Sequence, residues 1–226
     1  MSRLRLIGVA RRCADEGEAG RLACGTFTAW VARDEEGSSR DEEGPNLDAV
    51  KRHHRLVLGA LAEGAFLPAP FGRIYESEAE VRQDLLQRDS RLAPALDRAE
   101  THEEWSLRCK PQAAAMQPAS TGRAYLLGRQ QAKRDIAEAL TQANAFRAAL
   151  TESGGVTDCL ALHRDGGELM FSLLVRRDAR RHSLDAAEAA AFRLFPGFTT
   201  RFSGPWPLYS FSGLKADRDE TPEARP

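Results

Sequence analysis

The chain is poor in the residues that usually announce chemistry. Its 226 residues include four cysteines, five histidines, three tryptophans and three tyrosines, and its charges nearly cancel at -1. Cys13, Cys24, Cys109 and Cys159 stand far apart, with no C-x-x-C pair and no His at zinc-finger spacing, so neither a disulfide framework nor a structural zinc site is indicated. Lys plus Arg number 32 against 33 Asp plus Glu, which is not the charge balance of a protein whose main task is gripping nucleic acid. No apolar run approaches the roughly 20 residues that cross a bilayer. The longest candidate, 56–67, is broken by Gly59, Glu63 and Gly64. Residues 1–10 carry Arg3 and Arg5 but only a short apolar patch and no small-residue cleavage site, unlike a secretory signal. The expectation is a cytoplasmic chain with reduced, buried thiols, and without cofactor, metal, nucleic-acid or membrane partner.

Catalytic signatures are missing too. There is no G-x-G-x-x-G after a strand, no G-x-x-x-x-G-K-[ST], no H-E-x-x-H and no G-x-S-x-G. His102-Glu103-Glu104 starts like a zinc-binding helix but lacks the second His four residues on. His53 and His54 are neighbours, so on a helix their rings point about 100° apart and cannot easily share a metal. His163 and His182 have no Ser or Cys nearby in a nucleophile's context. No catalytic residue is assigned, and the chain reads as a non-enzyme.

What is present is a folding pattern. A 42% hydrophobic content suffices for a core, and the length allows one large domain or two small ones. Residues 3–10 alternate as a strand, and 25–32 form another with Phe27, Ala29 and Val31 on one face and Trp30 on the other. Six carboxylates between 34 and 46 mark a solvated acidic loop. A helix over 47–63 has Asn46 as its cap and Val50, His54, Val57, Leu58 and Leu61 as its apolar stripe. Residues 67–75 are extended, but Pro68 and Pro70 confine them to an edge strand or an irregular strand end. A second helix opens at Ser77, buries Val81, Leu85, Leu92 and Leu96, and should kink or break near Pro94. Residues 103–110 alternate again, with Trp105, Leu107 and Cys109 on one side.

Residues 111–122, rich in Pro, Ala, Gln and Ser, read as a linker. Beyond them comes a helix over 124–151, then strands over 156–164 and 168–176 joined at Asp165-Gly166-Gly167. A helix opened by Ser183 and Asp185 buries Leu184, Ala187, Ala191 and Leu194, and a last strand covers 198–203. The fold class is therefore α+β in two small domains, each an antiparallel or mixed sheet with helices on one face. The first spans 1–110 and the second 123–213, with a charged, mobile tail over 214–226.

Two surface candidates remain. Arg176, Arg177, Arg180, Arg181 and His182 form the densest basic cluster, either a solvated loop or a docking patch for an acidic surface or phosphate. Trp206, Tyr209 and Phe211 lie in a proline-rich segment, as a structural seal or as a partner contact. An RNA-binding sheet needs K/R-G-F/Y-G/A-F-V-x-F/Y, which strand 168–176 lacks, so Phe171 reads as core.

Three segments together carry a family resemblance: Leu67-Pro68-Ala69-Pro70-Phe71-Gly72 before the helix opening at Ser77; Gly122-Arg123-Ala124-Tyr125-Leu126-Leu127; and Ser203-Gly204-Pro205-Trp206-Pro207-Leu208-Tyr209-Ser210-Phe211. With His54 and Glu104-Trp105, their order resembles the gas vesicle protein L/F family (GvpL/GvpF) over about 4–211. Two departures stand out: Pro70 where the family usually carries Arg, and Leu208 where a second Pro is common. The resemblance implies a non-enzymatic accessory protein of gas vesicle assembly, with a C-terminal domain of ferredoxin-like type. It also implies partners: the small apolar shell subunit and other accessory proteins. Such a protein could cap shell subunits by strand addition or an apolar groove, with 67–75 and 206–211 as candidate contacts. The alternative is a ferredoxin-like module that binds RNA or nucleotide through Arg176 to Arg181.

Overall fold

The computed structural model describes residues 3–11, 20–34, 47–111, 138, 141–163 and 168–214. The chain divides into two units, Met1–Thr101 with Pro207–Pro226 and His102–Trp206. The expected boundary at 110 is thus displaced. The strand 102–111 follows the first domain in the chain, but its Leu107 and Cys109 complete the second unit's core. The proposed linker lies outside the described residues apart from Pro111, which ends that strand.

In the first unit β1 (Leu4–Arg11), β2 (Arg21–Cys24), β3 (Phe27–Arg33) and β4 (Phe66–Pro68) form a sheet in the order β2-β3-β1-β4. A short β5 (Ile74–Tyr75) also pairs with β1. All pairings are antiparallel. β2 lies outside the strands read from the sequence, since its four residues R-L-A-C are too few to show an alternation. It hairpins onto β3 through Gly25-Thr26, with Gly25 at φ +65°. Gly8 leaves no room for a side chain: a Cβ there would stand 2.3 Å from the Leu67 carbonyl oxygen and 2.4 Å from the Phe66 ring. The β1 register also shifts between Leu6 and Gly8.

This sheet buries both faces. On one, Ile7, Trp30 and Phe66 pack with Val57 and Ala60 of α1 (Leu47–Glu63). Phe27, Ala29 and Val31 point to the other and are buried there. α2 (Glu78–Gln87) and α3 (Asp89–Thr101) supply the further core residues Val81, Leu85, Leu92 and Leu96. Ser77 caps α2 by accepting from the Glu80 amide.

Two helix expectations shift. The buried stripe of α1 is Ala49, His53, Val57 and Ala60, one residue earlier than read, and Leu58 is exposed. Both stripes satisfy the helical period, but only this one gives His53 a partner: its Nε2 donates to the Ala69 carbonyl at 3.0 Å. The helix break falls at Arg88, and Pro94 sits inside α3, where its ring forgoes one bond near the start.

In the second unit β6 (His102–Pro111), β7 (Val156–His163), β8 (Leu169–Arg176) and β9 (Phe198–Trp206) form an antiparallel sheet in the order β7-β8-β6-β9. The helix α4, described over 141–153, precedes β7. A 3-10 turn (Arg177–Ala179) and α5 (Arg180–Leu194) join β8 to β9. Both helices cover one face, where Phe146, Phe171 and Phe195 stack with centroids 4.6 to 5.8 Å apart. α5 begins three residues before Ser183, so Arg180, Arg181 and His182 are helical rather than loop. Ser183 itself is buried and donates to the Gly155 and Ala179 carbonyls. Leu184 and Leu194 are only half-buried, and Ala190 takes a core place instead. The Asp165-Gly166-Gly167 turn lies outside the described residues. Cys109 and Cys159 sit in this core, where burial pushes each thiol up to about 12.

Candidate functional site

The four arginines start where β8 ends. Arg176 closes the strand, Arg177 opens the 3-10 turn, and Arg180 and Arg181 occupy the first turn of α5. A helix N-terminus repels cations, so this clustering needs compensation. The structure supplies it locally. Arg176 forms a two-pronged pair with Asp178, whose hydrogen bond raises the arginine's pKa and lowers the aspartate's. Arg177 donates to the His102 carbonyl at 3.3 Å. Arg180 grips both oxygens of Glu103. Only Arg181 has no partner among the described residues. Most of this positive charge is therefore already engaged, which leaves little to draw phosphate and does not favour the RNA or nucleotide alternative.

Glu103 is the residue that the sequence reading missed. β6 alternates, so Glu103 shares the core face of Trp105, Leu107 and Cys109, and it is buried at 5% exposure. A buried carboxylate needs partners, and it has two: Arg180 and the Trp105 indole, whose Nε1 donates at 2.7 Å. The signal lay in its register with the apolar residues.

Trp105 in turn lies against Gly204. A Cβ at Gly204 would fall 2.9 Å from the indole Cδ2 and 3.1 Å from the Glu104 carbonyl, and its φ is +147°. This contact accounts for the glycine of the G-P-W-P segment, whose Gly204–Pro205 peptide is cis. Across the ladder Trp206 faces Glu104, just as Arg176 faces His102. Arg176 and Trp206, thirty residues apart, thus lie at the same end of one sheet, on the two strands that flank β6. Trp206 remains 44% exposed, tethered only by its Nε1 to Ser203 at 3.3 Å.

Tyr209 and Phe211 go elsewhere. From Pro207 the chain belongs to the first unit, where Leu208, Phe211, Ser212 and Leu214 are buried. Tyr209 packs on the α1 cluster and stacks with His54 at 6.5 Å. Arg73 and Arg88 donate to the carbonyls of Leu214 and Gly213. Asp84 holds both guanidiniums, at 2.7 and 3.0 Å, and accepts from Tyr75 at 2.7 Å. Burial would raise the Asp84 pKa, but these hydrogen bonds and charges outweigh it and leave it lowered. Burial likewise pushes the Tyr75 phenol up to about 12. Phe211 is thus buried, and Leu214 is anchored rather than part of a loose tail.

Among the described residues no group of three His, Cys, Asp or Glu could hold a metal, and no helix is long and apolar enough to cross a membrane. What the sheet end offers is a surface: a half-exposed indole beside engaged arginines.

Comparison with known proteins agrees with the sequence resemblance. The family described as gas vesicle synthesis protein GvpL/GvpF matches residues 13–213. Gas vesicle protein L of Streptomyces sp. (strain CB03234) is 27% identical over 199 residues, 78% of this chain and 74% of that one. Two solved structures share the fold at 12% identity. The gas vesicle protein GvpF of Anabaena sp. PCC7120 has a TM-score of 0.65 over 94% of this chain and 98% of its own. That of Microcystis aeruginosa has 0.62 over 94% and 99%.

Proposed function

The chain belongs to the gas vesicle synthesis protein GvpL/GvpF family, and we propose that it acts in gas vesicle assembly as a non-enzymatic factor that holds the apolar shell subunit. The observation that carries this reading is the extent of the family match, 201 of 226 residues and both units (13 to 213 inclusive). A shell built from apolar, strand-forming subunits needs its faces and edges shielded before they join, because exposed edges aggregate. The work is done by contact in the cytoplasm, at the forming vesicle, together with other accessory proteins. The β-α-β-β-α-β order of the second unit supports a ferredoxin-like assignment.

Of the two segments the sequence suggested as contacts, residues 66–69 are buried, which leaves Gly72 as the exposed residue of 67–75. Trp206 is the member of the aromatic segment that remains accessible. Co-expression of the chain with the shell subunit, followed by affinity capture, tests the reading. A stable complex supports it, and absence of any complex with the wild-type chain overturns it.

A further inference from the structure

α1 carries a second apolar stripe that the first unit only partly covers. The stripe in the core is Ala49, His53, Val57 and Ala60. Beside it Leu47, Val50, His54, Leu58 and Leu61 follow at steps of three, four, four and three, the spacing by which one helix packs along another. Val50, His54 and Leu61 are half-buried, whereas Leu47 is 65% and Leu58 48% exposed. Of the six large apolar side chains exposed among the described residues, Leu47, Leu56 and Leu58 lie on this one helix. Single apolar residues on a surface need no explanation, but a row at helical spacing forms a seam.

The charges beside the seam specify what fits it. Lys51, Arg52 and Arg55 stand along its middle, and no carboxylate occurs between Ala49 and Ala62. Asp48 lies 3.7 Å from Lys51 with both side chains mostly exposed, a weak pair, and Glu63 is held by Arg21 at 2.8 Å. Arg55 has no partner among the described residues. An open groove lined by Asp48, Lys51, Arg52, His54 and Arg55 leaves room for an anionic group between the cations. A second copy of this chain does not match: pairing α1 with its twin about His54 would crowd the cations of both copies at the axis, where like charges oppose. A bilayer takes a broad apolar face, and α1 turns its other apolar face to the core. A helix with carboxylates flanking its own apolar seam satisfies both the spacing and the charge.

We propose that α1 is a docking face for an acidic amphipathic helix of a partner protein, which lays its apolar seam on Leu47, His54 and Leu58 and its carboxylates on Lys51 and Arg55. The proposal stands apart from the identification of the shell subunit as partner and is tested without it. The probes are three fluorescein-labelled peptides of about 20 residues: one with Leu at heptad positions a and d and Glu at e and g, its twin with Lys for Glu, and a shuffled Glu peptide of the same composition. Fluorescence anisotropy with the full chain should show the Glu helix bound, and the Lys and shuffled peptides bound about tenfold more weakly. Leu58→Ser should weaken the Glu helix about tenfold, and Phe192→Ala, on α5, should change nothing. Lys51→Glu with Arg55→Glu should reverse the preference, so that the Lys helix binds better. The substituted side chains are exposed, so thermal midpoints should match the wild type. Equal binding of the Glu and shuffled peptides, or an unreversed preference in the double variant, overturns the proposal. Tighter binding to phosphatidylserine vesicles that Leu58→Ser abolishes also overturns it, by assigning the seam to a membrane. A wild-type dimer that Leu58→Ser dissolves does the same, by assigning it to self-association.

Discussion

His53 offers a prediction with a worked sign. It is 2% exposed, with Nε2 donating to Ala69 and Nδ1 lacking a hydrogen-bond partner among the described residues. Its ring meets the Phe71 ring edge-on at 5.6 Å, and the Arg5 guanidinium lies 5.4 Å from the same Phe71 centroid. Burial, and then the charges of Arg5 and His54, lower its pKa below 6.5, with the Ala69 bond opposing. Protonation would place a charge on Nδ1 where no described residue accepts it. The unfolded chain therefore binds the proton first. The stability owed to neutral His53 is complete above about pH 6.5 and is lost as pH falls toward the folded pKa. The slope cannot exceed about 1.4 kcal/mol per pH unit, so the loss from pH 6.5 to 5.0 is at most about 2 kcal/mol. Urea unfolding from pH 7.5 to 5.0, followed by tryptophan fluorescence (Trp30 lies in the adjacent cluster), measures it. His53→Gln keeps an N–H for Ala69 but does not titrate, so the difference between the two proteins isolates the histidine. Identical pH slopes for wild type and variant would refute the reasoning.

Gly204→Ala should cost about 2 kcal/mol, since both φ and the Trp105 ring exclude a Cβ, and thermal unfolding would show the lower midpoint. Glu103→Ala strips Trp105 and Arg180 of their shared acceptor. With Arg180 half exposed the loss should be about 1–2 kcal/mol, and smaller in Glu103→Gln, by denaturant unfolding. Asp84→Asn should raise hydrogen exchange across 207–214 before the first sheet loosens, because it releases Arg73 and Arg88. Phe171→Ala, at the centre of the phenylalanine stack, should cost about 3–5 kcal/mol by the same denaturant measurement.

Sequence alone settled the local matters. Period-2 alternation set the buried faces of β3 and β6, the Ser77 cap fixed the start of α2, and the G-P-W-P segment pointed to the family. These succeed because a strand or a cap depends on residues a few positions apart. The α+β class followed from the same patterns. Where two helical stripes were equally periodic, as in α1, only the position of the Ala69 carbonyl could choose His53 over His54. Likewise β6 looks like the end of one domain until β8 and β9 flank it. Tertiary structure alone brought Trp206 to the same sheet end as Arg176, placed Tyr209 and Phe211 in the other unit, and spent Arg180 on Glu103. Such facts depend on which distant backbones come into register, and that is decided by how whole sheets and helices bury their apolar faces.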